Sequence, residues 1–438
     1  MFRSLLILSF GLFSTSISAQ NKESIKEKST SSYVHVKSGS VYTIPDHMTV
    51  KHIARHQSYN GRDTVSYDKD IHSPKSVTLN PSGTRYYVNS LEGHKTVCYD
   101  VQTHEKVASI KHSFTDKDSA LWAKPSGLYE FNHKYAHPNT FSGKPVESAF
   151  THMGRYLWVP YYRRSFDINA QDPSAISVID TRTYKIVRLF ETGALPKMVE
   201  SSADGKWVAV SQWGENTVGL IDVSSLYPDD WHYENSFTID RKLKLNYSLT
   251  VRVNRDVNSG YCLRGTVFTP DNRYLLVGCM GGSGGIAVID LEKQEYLGRV
   301  MGMLPNVRHI ILHDNWMYLS INQSGAVQRI PLDKFMASFE NFEKHVTKVE
   351  GWETCKVLKG ARTISISPDG RYVYAACNIG SRLAVVDTQT FKMVGEIPVD
   401  SYPVGLDISA DGLTLYVTSQ GRDDKGGNSV NVYQIEYL

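Results

Sequence analysis

The sequence predicts an all-β fold: a seven-bladed β-propeller built of four-stranded antiparallel blades, with an N-terminal strand completing the last blade. Three observations lead there. Residues 361–421 contain one pattern twice: a short alternating apolar strand, an Asp-Gly turn (Asp369-Gly370, then Asp411-Gly412), and a second strand with a Tyr-Val pair (Tyr372-Val373, then Tyr416-Val417). The first copy continues through a polar loop to a third strand ending at Asp387 and a fourth with Val and Ile, a period of about 42 residues. The pattern recurs upstream often enough to make seven copies. The 26 tyrosines also suit strands better than helices. A lone four-stranded sheet buries its faces poorly, whereas seven arranged radially pack both faces on neighbours and leave only short edges.

In chain order, residues 1–19 (MFRSLLILSFGLFSTSISA) read as a secretory signal peptide: Arg3, an apolar run from Leu5 to Phe13, then small residues up to Ala19. Residues 20–40, rich in Lys, Glu and Ser, read as a flexible segment. Residues 41–438 are expected to form a single propeller. Its closing strand lies at about 41–56, because the last blade ends at Leu438 after only three strand-like runs. Blade one opens at about residue 73 with SPKSVTLNPSGTRYYVNS. Blade two follows an insert near 112–144, blade three opens at LPKMVESSADGKWVAV, and blade four follows a second insert near 226–262. Blade five (NVRHIILHDNWMYLSIN) is the most degenerate, and a third insert near 333–360 precedes blade six. Pro81, Pro270 and Pro368 set φ for the tight turns, and Gly83, Gly205, Gly370 and Gly412 supply positive φ at their ends.

Charge is nearly balanced at +3, which gives no electrostatic case for nucleic acid. The five cysteines include no CxxC or CxxCH, which argues against zinc ribbons, thioredoxin-type sites and covalent haem. No cysteine lies near residue 19 to carry a lipid, and no later run is long and apolar enough to cross a bilayer. The expectation is an exported protein, periplasmic or at the cell surface, with no transmembrane segment, no cofactor and no metal.

The segments RYVYAACNIGSRLAVVDTQTFKMVGEI and LTLYVTSQG resemble the YVTN-type propeller repeat, Tyr416-Val417-Thr418 being most of the naming motif. The resemblance covers roughly residues 73–438 and is weakest in blade five. It implies the fold; its relatives range from surface-layer proteins and corrinoid-capturing surface proteins to sugar lactonases and haem-d1-type domains. The corrinoid binders are usually lipid-anchored, and this chain lacks the anchoring cysteine.

Loops joining second to third strands, and those joining blades, lie on the face where inner strands begin, the top. Function usually resides on such variable loops. At the start of the inner strands one position holds Lys75, Lys197, Arg264, Arg308 and Arg362, with Val146 and Val404 in blades two and seven. Cations ringing the channel mouth would favour an anionic ligand such as a carboxylate, phosphate or sugar acid. The competing reading pairs them with acids or carbonyls between blades. Tyr162, Arg163, Trp213, Asn322 and Asn378 on top-face loops would shape the site.

Other signals are set aside. His133 and His137 have i, i+4 spacing but no third ligand, and Pro138 follows. Gly281-Gly282-Ser283-Gly284-Gly285 satisfies G-x-S-x-G but lies between two strands, not on an elbow. Cys279 and Cys377 hold equivalent places in non-adjacent blades and read as buried thiols. Asp100, Asp180, Asp222, Asp290 and Asp387 end third strands and read as turn caps. Three functions remain: a non-enzymatic binding protein capturing a small anionic or polar ligand or a partner; a lactonase-like hydrolase with Glu147 or His152 as base; and an envelope-protein scaffold without a small ligand.

Overall fold

The computed structural model describes residues 34–244, 246–255, 258–421 and 427–438. The signal-peptide reading and most of the 20–40 segment therefore lie outside the described residues. Seven sheets, antiparallel among their four blade strands, follow one another. The inner strand of each blade begins at Pro74, Ala149, Pro196, Leu263, Val307, Ala361 and Pro403 in turn. The N-terminal strand Met48–Gln57 pairs antiparallel with Ser429–Tyr437, from Met48 opposite Tyr437 to Gln57 opposite Ser429. It completes blade seven as expected, and Val41–Ile44 adds a fifth strand outside it.

Local chemistry explains why the pattern folds repeatedly in the same way. In the Asp-Gly turns, Ser367 Oγ donates to Asp369 (2.5 Å) and accepts from the Tyr372 amide (2.9 Å), and Gly370 takes φ +70°. Ser202–Asp204, Thr269–Asp271 and Ser409–Asp411 repeat the arrangement. The third-strand aspartates cap turns: Asp100, Asp180, Asp222, Asp290 and Asp387 each accept a backbone N–H from two or three residues on. In four blades the other oxygen pairs with the arginine that opens or precedes the second strand: Arg85–Asp100, Arg155–Asp180, Arg273–Asp290 and Arg371–Asp387. Between the sheets lie apolar layers. Tyr374, Val385, Leu406, Val417 and Tyr433 join blades six and seven, and Leu276, Val288, Ile310 and Leu319 join four and five. Each fully buried aliphatic there contributes about 1.5–3 kcal/mol.

The closure carries a buried polar knot. Asp400, fully enclosed, accepts from the Val36 amide (2.7 Å), Ser429 Oγ (2.6 Å) and Asn431 Nδ2 (3.0 Å), and pairs with Arg55 at 3.4 Å.

The inserts differ from expectation. The second one supplies blade three's outer strand, His232–Thr238, and the third supplies blade five's, Glu353–Lys356. Their polar sequences hid these strands because an outer strand needs only one buried face. The third insert also leaves from the end of blade five's third strand, hence from the bottom face. There it forms the helix Leu332–Ala337 and a strand, Val346–Lys348, that pairs parallel with Glu295–Met301 of blade four. The G-x-S-x-G run is a hairpin loop between Tyr274–Cys279 and Ile286–Asp290. All five cysteines are buried, and none forms a disulfide.

Candidate ligand site at the channel mouth

The residue before each inner strand, other than in blade two, has left-handed φ: Ser73 (+50°), Leu195 (+56°), Cys262 (+49°), Asn306 (+75°), Gly360 (+84°) and Tyr402 (+60°). For the non-glycines this conformation is uncommon and holds only where surrounding bonds enforce it. In blades one, three, five, six and seven the carbonyl of that residue accepts an amide from the far end of the second strand, as with Trp213 N–H to Leu195 O (3.0 Å) and Asn378 N–H to Gly360 O (3.1 Å).

The next feature was not legible in the sequence. The first inner residue is in register (Pro74 with Ser90), but the partner count then slips, so that Ser76 faces Asn89 and Lys75 is extra. The same slip isolates Lys197, Arg308 and Val404. It spans Arg264-Gly265 in blade four and Arg362-Thr363 in blade six. A β-bulge leaves its extra residue outside the ladder and re-aims its side chain. The position that carries basic residues is thus the one position of the inner strand freed from pairing.

Three of these cations gather with top-face residues of neighbouring blades. Lys197 Nζ lies 3.8 Å from the centre of the Tyr162 ring and 4.9 Å from that of Trp213. The Arg264 guanidinium lies 4.3 Å from the Trp213 ring. Arg308 Nη1 donates to Met280 Sδ at 3.1 Å. All three act electrostatically on Glu147 of blade two. Burial raises that carboxyl to about 7, and Arg264, Lys197 and Arg308 pull the other way. Glu147 keeps some exposure while being surrounded by protein, as a side chain lining a narrow channel should. Arg362 is enclosed; burial lowers its pKa, and the Tyr402 hydroxyl bonds to it. Lys75 is buried on blade one.

The other expected residues divide. Trp213 is fully buried, so it is a platform beneath Lys197 and Arg264 and not an open stacking face. Arg163 Nη1 donates to the Asp167 carbonyl (2.9 Å). Asn322 Nδ2 donates to the Ala361 carbonyl (3.1 Å), joining blades five and six, and Asn378 is buried where blade five crosses to six. His152 is in the bottom turn and stacks on Trp231 at 5.0 Å, away from the mouth. Further along the channel wall, burial raises Glu200 to about 7 and Asp407 to about 6 and lowers His309 to about 4.

Two inserts converge on the top loop of blade two. Asp172 accepts from the amides of Asn132 (2.6 Å) and His133 (3.1 Å), from the His133 ring (2.8 Å) and from the Tyr135 hydroxyl (2.6 Å). Asn169 and Gln171 hold the second insert, bonding Ser248, Val251, Val253 and Tyr247. His133 and His137 face different carboxylates, Asp172 and Asp116, each at 2.8 Å. Among the described residues no three His, Cys, Asp or Glu side chains are placed to hold a metal. The second insert also delivers Arg255, which is buried and donates from Nη2 to the Gly214 carbonyl (3.1 Å). Nothing periodic in the sequence marked Arg255 or Asp167.

Comparison with known proteins agrees with this architecture. A curated relative, Antigen Lp49 of Leptospira interrogans serogroup Icterohaemorrhagiae serovar copenhageni (strain Fiocruz L1-130), is 22% identical over 254 residues, covering 53% of this chain and 50% of the antigen. This chain thus spans about half the length of the curated relative it matches. Among solved structures, Kuenenia stuttgartiensis hydrazine synthase superposes with a TM-score of 0.59 at 15% identity, over 84% of this chain and 97% of that one. The Cps50 (Swd1) β-propeller domain of Myceliophteria thermophila gives 0.56 at 12% identity, over 82% and 96%. At such identities the likeness is one of fold alone. Residues 174–436, more than half of the chain, match the family described as lactonase, 7-bladed beta-propeller, and the chain belongs to that family.

Proposed function

We propose that this is an exported, non-enzymatic binding protein that captures a small anionic ligand on the top face of its propeller. One observation carries the reading: Lys197, Arg264 and Arg308, from three successive inner strands, share one locale with Tyr162, Trp213 and the largely protonatable Glu147. Cations held on aromatic faces in a partly desolvated mouth attract anions more strongly than the same cations in water. Lys75 and Arg362 extend the same position around the axis; Arg163, Asn322 and Asn378 brace the loops between blades. The relative named as an antigen and the YVTN-type resemblance of the repeats support a place outside the cytoplasm, at the envelope or beyond. The test is calorimetric titration with sulfate and with citrate. Lys197→Gln/Arg264→Gln should bind at least tenfold more weakly while melting normally; unchanged affinity in the folded variant refutes the reading.

A second reading is favoured by Glu147 itself. A carboxyl at about 7 beside three cations has the charge state of a general base, and the family name includes lactonase. Purified protein assayed against a lactone and ester panel, with Glu147→Gln as control, separates the two. Turnover lost in the Gln variant selects the hydrolase.

A further inference from the structure

Where the second insert lies over the loop of blade two, an apolar cluster of Ala170, Leu195, Trp213 and Cys262, with Tyr162 and Met280 packed against them, adjoins the cations of the mouth. Three buried polar side chains in and beside this cluster have atoms without a hydrogen-bond partner among the described residues. They are Arg255 (Nε and Nη1), Trp213 (Nε1) and Asp167 (Oδ1). Arg255 is only 4% exposed and Asp167 only 2%. Arg255 is within electrostatic reach of both Tyr162 and Asp167. Its Nη2 bonds the carbonyl of Gly214, where a Cβ would stand 2.7 Å from the Ala194 carbonyl oxygen and 2.8 Å from Nη2.

Leaving such atoms unsatisfied costs their desolvation. A buried water, an ion or a bound molecule with matching polar groups removes that cost. The unpaired groups are of two kinds. Arg255 and Trp213 offer N–H donors, those of Arg255 being Nε and Nη1 on different edges of the guanidinium. Asp167 offers an acceptor, its Oδ2 being occupied by the Asp172 amide at 2.9 Å. A simple anion would satisfy only the first kind.

We infer that this cluster holds a chamber for a small carboxylate that also carries a hydrogen-bond donor, the carboxylate meeting Arg255 and the Trp213 indole and the donor meeting Asp167. The inference rests on the anion-binding reading of the mouth and narrows it. A hydroxyl and an ammonium both fit the donor; the measurement separates them.

Propionate, L-lactate and L-alanine share a three-carbon frame and differ only in carrying no donor, a hydroxyl or an ammonium. Each is titrated into the full-length protein, and binding is followed by the shift of the Trp213 indole N–H resonance, assigned with Trp213→Phe. L-Lactate or L-alanine should bind at least tenfold more tightly than propionate. Asp167→Asn should bring that ratio within about twofold, since an amide replaces the anionic acceptor. Arg255→Gln should weaken all the probes at least tenfold. If that variant fails to fold, Arg255→Lys, which keeps the charge and loses the planar set of N–H donors, should weaken them at least threefold. Equal affinity for all three probes, unchanged binding in the Arg255 variant, or no shift with any probe at about 100 mM overturns the inference. Normal probe binding in Arg255→Gln alongside lost sulfate binding in Lys197→Gln/Arg264→Gln removes this chamber and leaves the mouth standing. The reverse pattern removes the mouth.

Discussion

If the mouth binds anions, Glu147 sets how that binding depends on pH. Its carboxyl, raised to about 7 by burial, is mostly neutral below that pH and mostly ionised above it. Ionisation adds one negative charge beside Lys197, Arg264 and Arg308. For a doubly charged anion about 8 Å from the new charge, at an effective dielectric of about 20, the repulsion is about 4 kcal/mol. Water and salt in the channel reduce this to about 2 kcal/mol, or about thirtyfold in Kd. Sulfate is the suitable probe, because its own charge is constant across the range. Calorimetric titrations from about pH 5.5 to about pH 8.5 should show affinity falling through neutrality, with proton uptake on binding near pH 7. Glu147→Gln should bind sulfate with nearly constant affinity, close to the wild-type value at the acid end. A flat wild-type profile, or a slope that survives in the Gln variant, refutes the reasoning.

Glu200 offers a stability counterpart without nearby cations. Its folded pKa of about 7 exceeds its ordinary value of 4.5, so the folded state holds a proton that the unfolded state releases, and stability is lost as pH rises from about 4.5 to about 7. Glu200→Gln should therefore gain about 1–3 kcal/mol over wild type at pH 8 and little at pH 4, by urea denaturation; a gain independent of pH contradicts this. Asp400→Ala removes the acceptor shared by Val36, Arg55, Ser429 and Asn431 and should cost about 3–5 kcal/mol, read as a lower urea midpoint. A loss under about 1 kcal/mol would show that the closing strand does not depend on this knot. Gly405→Ala places a Cβ 2.8 Å from Ser76 Cα and 2.9 Å from the Lys75 carbonyl, where blade seven meets blade one. It should lower Tm by an amount matching about 1–3 kcal/mol, and an unchanged Tm would mean that the inner strands can part without cost.

The fold was readable because its determinants are local. Each Asp-Gly turn is closed by a serine or threonine hydroxyl two residues before the aspartate, as at Ser367 and Ser409, and that spacing is visible in one line of sequence. Strands buried on both faces announce themselves as apolar runs, such as Leu383–Val386. The outer strands His232–Thr238 and Glu353–Lys356 did not, because each buries little and tolerates polar residues on its outer side. The site was half readable. The basic position could be counted from the turn, but Trp213 was read as a ligand surface when the fold covers it with two cations. Arg255 comes within electrostatic reach of Asp167 because Asn169 and Gln171 fasten the second insert to the blade-two loop across some 80 residues of chain, a long-range event with no sequence period.

The bulge explains how one propeller position can be basic in some blades and apolar in others without harm to the scaffold. A residue inside the ladder must match its cross-strand neighbour, and a buried charge there would go unanswered. Lys75, Lys197, Arg308 and Val404 stand outside the pairing, so their identity is decoupled from sheet stability. What they must satisfy is the top-face layer: Lys197 against Tyr162 and Trp213, Arg308 against Met280. If the mouth binds a ligand, specificity would come from the aperiodic inserts laid over that layer, because only they bring a group such as Arg255 to one side of a mouth whose own residues recur around the axis. The inferred chamber beneath the second insert, and not the ring as a whole, is accordingly where recognition of one ligand over another should reside.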